Sequence, residues 1–215
     1  PLECHRDSPA VASASATAAP VVRNQVRVQV DAEQSWRLCN GLLTLELDHR
    51  GLTRLQDEQG IDQLSEPVQF RRYRDRGEFW DAWDLAVDYP QHPLPMAADW
   101  QLELVEQGPL VARVVLRSSI ESSALRMDVL LRADSPSVEL QVTIDWHQTH
   151  ELLRMVCPLA RRAVRWAADT SGGVIERPAV ALTPSEHARW EVPVISWLAS
   201  EEAGPVSYTH LTLPT

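Results

Sequence analysis

The chain has 215 residues, 44% of them hydrophobic, which is enough for one large domain with a substantial core. Its 20 basic and 30 acidic residues leave a formal charge of −10, which disfavours phosphate backbones and anionic lipid, so no nucleic acid is expected as a partner. No apolar run approaches the roughly 20 residues that cross a bilayer, so no membrane is expected either.

Residues 1–34 read as a linker and a leading strand. AVASASATAAP (Ala10 to Pro20) is an Ala/Ser-rich stretch that buries little, and it lacks the unbroken apolar run and basic start of a signal peptide. In VRVQVD, Val26, Val28 and Val30 face one way, and Arg27 and Gln29 the other. LTLELD repeats the pattern, with Leu43, Leu45 and Leu47 opposed to Thr44, Glu46 and Asp48. DHRG (Asp48 to Gly51) and DEQG (Asp57 to Gly60) each end in a glycine suited to a turn. EQGP (Glu106 to Pro109) reads as a hairpin connection.

ALRMDVLLR then alternates Leu125, Met127, Val129 and Leu131 with Arg126, Asp128 and Arg132. After the turn ADSP (Ala133 to Pro136), SVELQVTIDW places Val138, Leu140, Val142, Ile144 and Trp146 on one face. TSGG (Thr170 to Gly173) breaks the chain again. Period-two alternation is the signature of half-buried antiparallel strands, because successive side chains leave opposite sides of the pleat. No stretch carries a clear helical period over the required length of about 10–12 residues. The fold class is therefore all-β, a large antiparallel β-sandwich occupying residues 35–205 as one unit. The last ten residues, VSYTHLTLPT (206–215), resemble a translated sequencing adapter; they are read as an artefactual tail and set aside from the fold, which implies that the domain is incomplete at its C-terminus.

Cys4, Cys39 and Cys157 show neither a disulfide framework nor zinc-finger spacing. Unpaired thiols suit a reducing compartment, and the cytoplasm is the expected location. Phosphate-loop, dinucleotide-binding and serine-hydrolase motifs do not occur.

The unusual segment is GEFWDAWDLAVDYPQHPLP (Gly77 to Pro95), which sets Trp80, Asp81, Trp83 and Asp84 within one short run before a series of prolines. Asp81 and Asp84 are too close in sequence to flank a sugar ring as a catalytic dyad. Indole faces and carboxylates together do suit sugar binding, and these four are the candidate substrate-binding residues. His147 and His150 with Asp145 could meet a metal, but their spacing departs from the i,i+4 pattern of helical zinc sites, and they read as strand-end and turn residues. No catalytic or metal-binding residue is assigned.

Four stretches, taken together, resemble the C-terminal half of glycoside hydrolase family 38, the α-mannosidases. They are LCNGLLTLELDHRGLTRLQDEQG (38–60), EFWDAWDLAVDYPQHPLP (78–95), VELQVTIDWHQTHELLRMVCPL (138–159) and GGVIERPAVALTPSEHARWEVPVISWLAS (172–200). The W-D-A-W-D run is similar to that of the family's bacterial and cytosolic branch. The resemblance implies a sandwich of the galactose-mutarotase-like (supersandwich) type and a retaining, zinc-dependent enzyme acting on terminal α-mannosides. It also implies that the nucleophile and the zinc ligands lie in an N-terminal barrel whose motifs are absent here. The expectation is a fragment that is inactive alone, binds no zinc itself, and has as partners an α-mannoside oligosaccharide and the missing catalytic barrel. The alternative is a free-standing carbohydrate-binding or mutarotase-like module, for which His147 and Glu151 are the nearest acid–base candidates; a further reading is a structural or interaction domain without a ligand.

Overall fold

The computed structural model describes residues 22–31, 35–77, 84–96, 99–189, 191–202 and 207–209. Strands β1 (Arg27–Val30), β2 (Trp36–Cys39), β3 (Thr44–Asp48) and β4 (Gly51–Gln56) form an antiparallel sheet in that order. Strand β5 (Gln69–Arg74) leads into the connection ending at a short 3₁₀ turn, Tyr89–Gln91, and β6 (Pro93–Leu94). Next come β7 (Gln101–Gln107), β8 (Val111–Ile120), β9 (Ser123–Arg132) and β10 (Val138–Asp145), a second antiparallel sheet. Strand β11 (Glu151–Val156) returns to pair with β5, giving the order β11-β5-β6. Finally β12 (Ala163–Thr170), β13 (Gly173–Pro178), β14 (Leu198–Glu202) and β15 (Ser207–Thr209) make a fourth sheet, ordered β13-β12-β14-β15, with the single-turn helix α1 (Pro184–His187) between β13 and β14.

The fold is all-β and antiparallel, as the alternation predicts. Leu38, Leu45, Leu47 and Leu52 of the first sheet meet Val114, Leu116, Met127, Val129 and Leu131 of the second in one buried cluster. Phe70 joins them from β5, with Leu153 and Met155 of β11 packed alongside. Removing a buried leucine here leaves both lost transfer energy and a cavity, together about 2–5 kcal/mol.

Two polar residues complete the core. Asn40, only 1% exposed, donates to the carbonyls of Arg132 and Ser135 at 2.7 and 2.8 Å and accepts from the N–H groups of Leu42 and Leu43. It thereby ties the first sheet to the hairpin end of the second. Asp128 lies on the face of β9 expected to be polar, yet it is buried, because Arg126 and Arg113 from β8 close over it at 2.6 and 2.7 Å. Those guanidinium hydrogen bonds, from Arg126 first, outweigh desolvation and hold its carboxyl below the usual range.

On the expected apolar face of β10 and the residue after it, Val138, Leu140, Val142 and Trp146 are partly buried while Ile144 is 44% exposed. Three residues of the stretch set aside from the fold, Ser207–Thr209, pair with Leu198–Ser200 as edge strand β15, since backbone pairing makes few demands on side chains.

Candidate functional site

Trp80, Asp81 and Trp83 fall outside the described residues. Asp84 is exposed, and its Oδ1 accepts the N–H of Leu85 at 2.9 Å. The limbs of this connection are tied together. Asp75, just after β5, accepts the N–H of Ala86 at 2.8 Å, while its own N–H donates to the His150 carbonyl. The N–H of Arg74 reaches the His92 carbonyl at 2.9 Å. The described limbs on either side of residues 78–83 are thus joined at a neck.

Beneath the neck sits Tyr89, 2% exposed. Pro90 follows it within the 3₁₀ turn, where a fixed φ suits the turn's start. Its ring meets Tyr73 edge-on at 5.2 Å, and the Arg154 guanidinium lies 5.5 Å from its centroid. Register explains that meeting: Tyr73 on β5 opposes Leu152 on β11, so Tyr73 and Arg154 emerge on the same face. The phenol donates to Glu191 and accepts from Arg154, and Arg154 and Glu191 also pair at 3.2 Å. Burial first, then the Glu191 hydrogen bond, push the Tyr89 pKa up to about 12, against the opposing charge of Arg154. The phenol therefore stays protonated at physiological pH and serves as an anchor, not a base.

A second polar group lies on the other face of β5. Arg72, 6% exposed, makes a bidentate pair with Glu151 at 2.6 and 2.9 Å and also reaches Glu121 at 2.9 Å. Glu121, at the β8–β9 turn, has a φ of 51°. Glu151 is thus engaged by Arg72, whereas His147 lies 3.0 Å from Asp145 and donates its backbone N–H to Ser123. The structure does not bring His147 and Glu151 together as an acid–base pair. Among the described residues no group of three or more His, Cys, Asp or Glu side chains is placed to hold a metal ion.

Sequence reasoning did not single out Tyr89, Arg154 or Glu191, although each lies in a different one of the four quoted stretches. The only sequence signal was their company: Y-P after the W-D-A-W-D run, L-L-R on the return strand, and W-E-V-P.

Residues 38–210 match the C-terminal domain of the glycosyl hydrolases family 38. The chain is similar to alpha-mannosidase 2C1 of Homo sapiens, 27% identical over 187 residues, covering 83% of this chain and 18% of the relative. Alpha-mannosidase 2C1 of Mus musculus is 27% identical over 185 residues, 82% of this chain and 18% of the relative. Alpha-mannosidase G of Dictyostelium discoideum is 29% identical over 126 residues, 55% of this chain and 11% of the relative. The chain spans less than one fifth of the length of these relatives.

Proposed function

This chain belongs to glycosyl hydrolases family 38 through its C-terminal domain, and from that membership we propose that it is the β-sandwich part of an α-mannosidase acting on terminal α-mannosides. Its part in that enzyme is to present the Gly77–Pro95 connection to the sugar. Trp80 or Trp83 supplies an apolar platform and Asp81 or Asp84 accepts hydrogen bonds from hydroxyls. Sites at domain junctions are common, and the proposed partner across the junction is the catalytic barrel. In a retaining reaction a carboxylate attacks the anomeric carbon while a second group handles the proton. Both are proposed to come from outside this chain. The described residues do not fit a zinc site, so no step through zinc is assigned to them. No described helix is long and apolar enough to cross a membrane, and a cytoplasmic enzyme is the proposed setting.

The observation that carries this reading is the meeting of Tyr89, Arg154 and Glu191 under the connection's neck. Residues from three separate stretches meet at Tyr89, on the described limb by which the connection returns to the sheet. Binding loops held on rigid scaffolds lose less entropy when they engage a ligand. The test is kinetic, in a complete enzyme carrying this domain. Asp84→Ala or Trp83→Ala should lower kcat/KM tenfold or more, about 1.4 kcal/mol, with an unchanged melting temperature. Early melting with normal kinetics in the folded fraction would make the stretch scaffold only. Residues 1–215 alone should not hydrolyse an aryl α-mannoside, with or without added zinc.

A further inference from the structure

We propose that the cleft between β5, the β3–β4 turn and Trp100 is a separate binding site for a neutral sugar ring. The cleft encloses about 340 Å³, within the usual range of small-ligand sites. Trp100, Leu94 and Met96 line it with apolar surface, and His49, Arg71 and Asp99 line it with polar groups. It exists because β6 is only two residues long and pairs with β5 at Arg72 and Tyr73 alone. The edge of β5 from Gln69 to Arg71 therefore opens into it.

The indole wall is preorganised. The backbone N–H of Trp100 donates to the His49 carbonyl at 2.7 Å, and its ring meets Phe70 at 5.8 Å. Gly51 allows this approach. Its φ is +110°, and a Cβ there would lie 3.3 Å from the Trp100 Nε1. A glycine satisfies both conditions; a larger residue meets backbone strain and the indole together.

Charge decides between ligand classes. Three arginines line the cleft, yet two are already committed: Arg50 pairs with Asp48 at 2.7 Å, and Arg72 with Glu151 and Glu121. Among the described residues, the Arg71 side chain meets only that of Gln69, at 3.2 Å. The side chains of Asp99 and His49 have no hydrogen-bond partner among the described residues. One cation and one anion remain, so the cleft has no net pull on a phosphate or carboxylate. An apolar wall facing uncommitted donors and acceptors matches a pyranose, which has a C–H face and a rim of hydroxyls.

This site extends the carbohydrate reading above, which supplies the choice of probe, but it does not rest on Trp80, Asp81, Trp83 or Asp84. The experiment titrates residues 1–215 with methyl α-mannoside and an α-linked mannotriose, following the indole N–H resonance assigned by its loss in Trp100→Phe. A saturable shift of that resonance is expected. Asp99→Asn and Arg71→Gln change exposed side chains, so the fold should survive while affinity falls at least fivefold. An unmoved resonance, or variants that bind like the parent, would overturn the proposal. So would a response to glucose 6-phosphate without a response to the neutral sugars. A silent cleft in residues 1–215, with Asp84→Ala of the complete enzyme still losing kcat/KM, refutes this site and leaves the functional proposal standing. Binding here, with Asp84→Ala of the complete enzyme kinetically normal, does the reverse.

Discussion

Tyr89 donates its phenolic hydrogen to Glu191, a residue 102 positions further along the chain, and so joins the neck of the Gly77–Pro95 connection to the segment before β14. Tyr89→Phe keeps the ring against Tyr73 but removes that bond, and about 1–2 kcal/mol of stability should be lost by urea titration. The alkaline limb is a second check. Because the folded pKa is raised, the tyrosine's contribution is complete below its unfolded value of about 10 and is lost as pH rises through about 12. Tyr89→Phe should lack this loss between those two values. An unaltered alkaline limb would show that the phenol carries none of it.

Arg72 permits a sharper contrast, since it is buried between Glu151 and Glu121. Arg72→Met leaves a half-buried carboxylate without its cation and should cost about 3–5 kcal/mol. The double change Arg72→Met with Glu151→Leu should recover most of that loss, because the pair's desolvation is then avoided on both sides. If the double variant is no more stable than the single one, the arginine acts through packing of its stem and not through its charge.

The strands were legible because alternation survives wherever one face meets a core: Leu45, Leu47, Met127, Val129 and Leu131 are all fully buried. The turns were legible from Gly51, Gly60 and Gly172, each with positive φ. Asp128 misled, since its burial depends on Arg113 from the neighbouring strand, and period two is blind to cross-strand neutralisation. Asn40 was equally hidden, its partners lying 92 and 95 residues away. The Tyr89 cluster joins positions 65 and 102 apart. No local spacing encodes such a meeting; the pairing of β5 with β11 brings Arg154 beside Tyr73, against which the Tyr89 ring packs.

Asp169 predicts an acid-sensitive fourth sheet. Burial pushes its carboxyl upward, but the Ser196 hydroxyl and the N–H groups of Trp197, Ser196 and Ile195 prevail and hold it at about 2. A depressed carboxylate contributes stability above its unfolded value of about 4, and that stability is lost as pH falls through about 2. Urea midpoints measured across this window should fall, and Asp169→Asn should start lower at neutral pH with a flatter acid limb. Equal acid slopes in parent and variant would exclude Asp169 as the source.

Ser207–Thr209 pairs with Leu198–Ser200 at the outer edge of the fourth sheet, within a stretch whose sequence resembles adapter-coded residues. A three-residue edge strand makes few ladder bonds, each worth about 0.5–1.5 kcal/mol net. Against that stands the strand it covers, where Ala199 and Ser200 are buried. Their own pairing with β12, Ala199 opposite Ala167 and Ser200 opposite Trp166, does not involve β15. Deleting residues 206–215 should therefore leave the fold intact and change stability by less than about 2 kcal/mol. Hydrogen exchange should show faster exchange confined to the newly exposed edge of β14, with β12 still protected. A larger loss, or exchange spreading into β12, would mean that the edge strand closes this sheet and that the adapter-like residues belong to the domain.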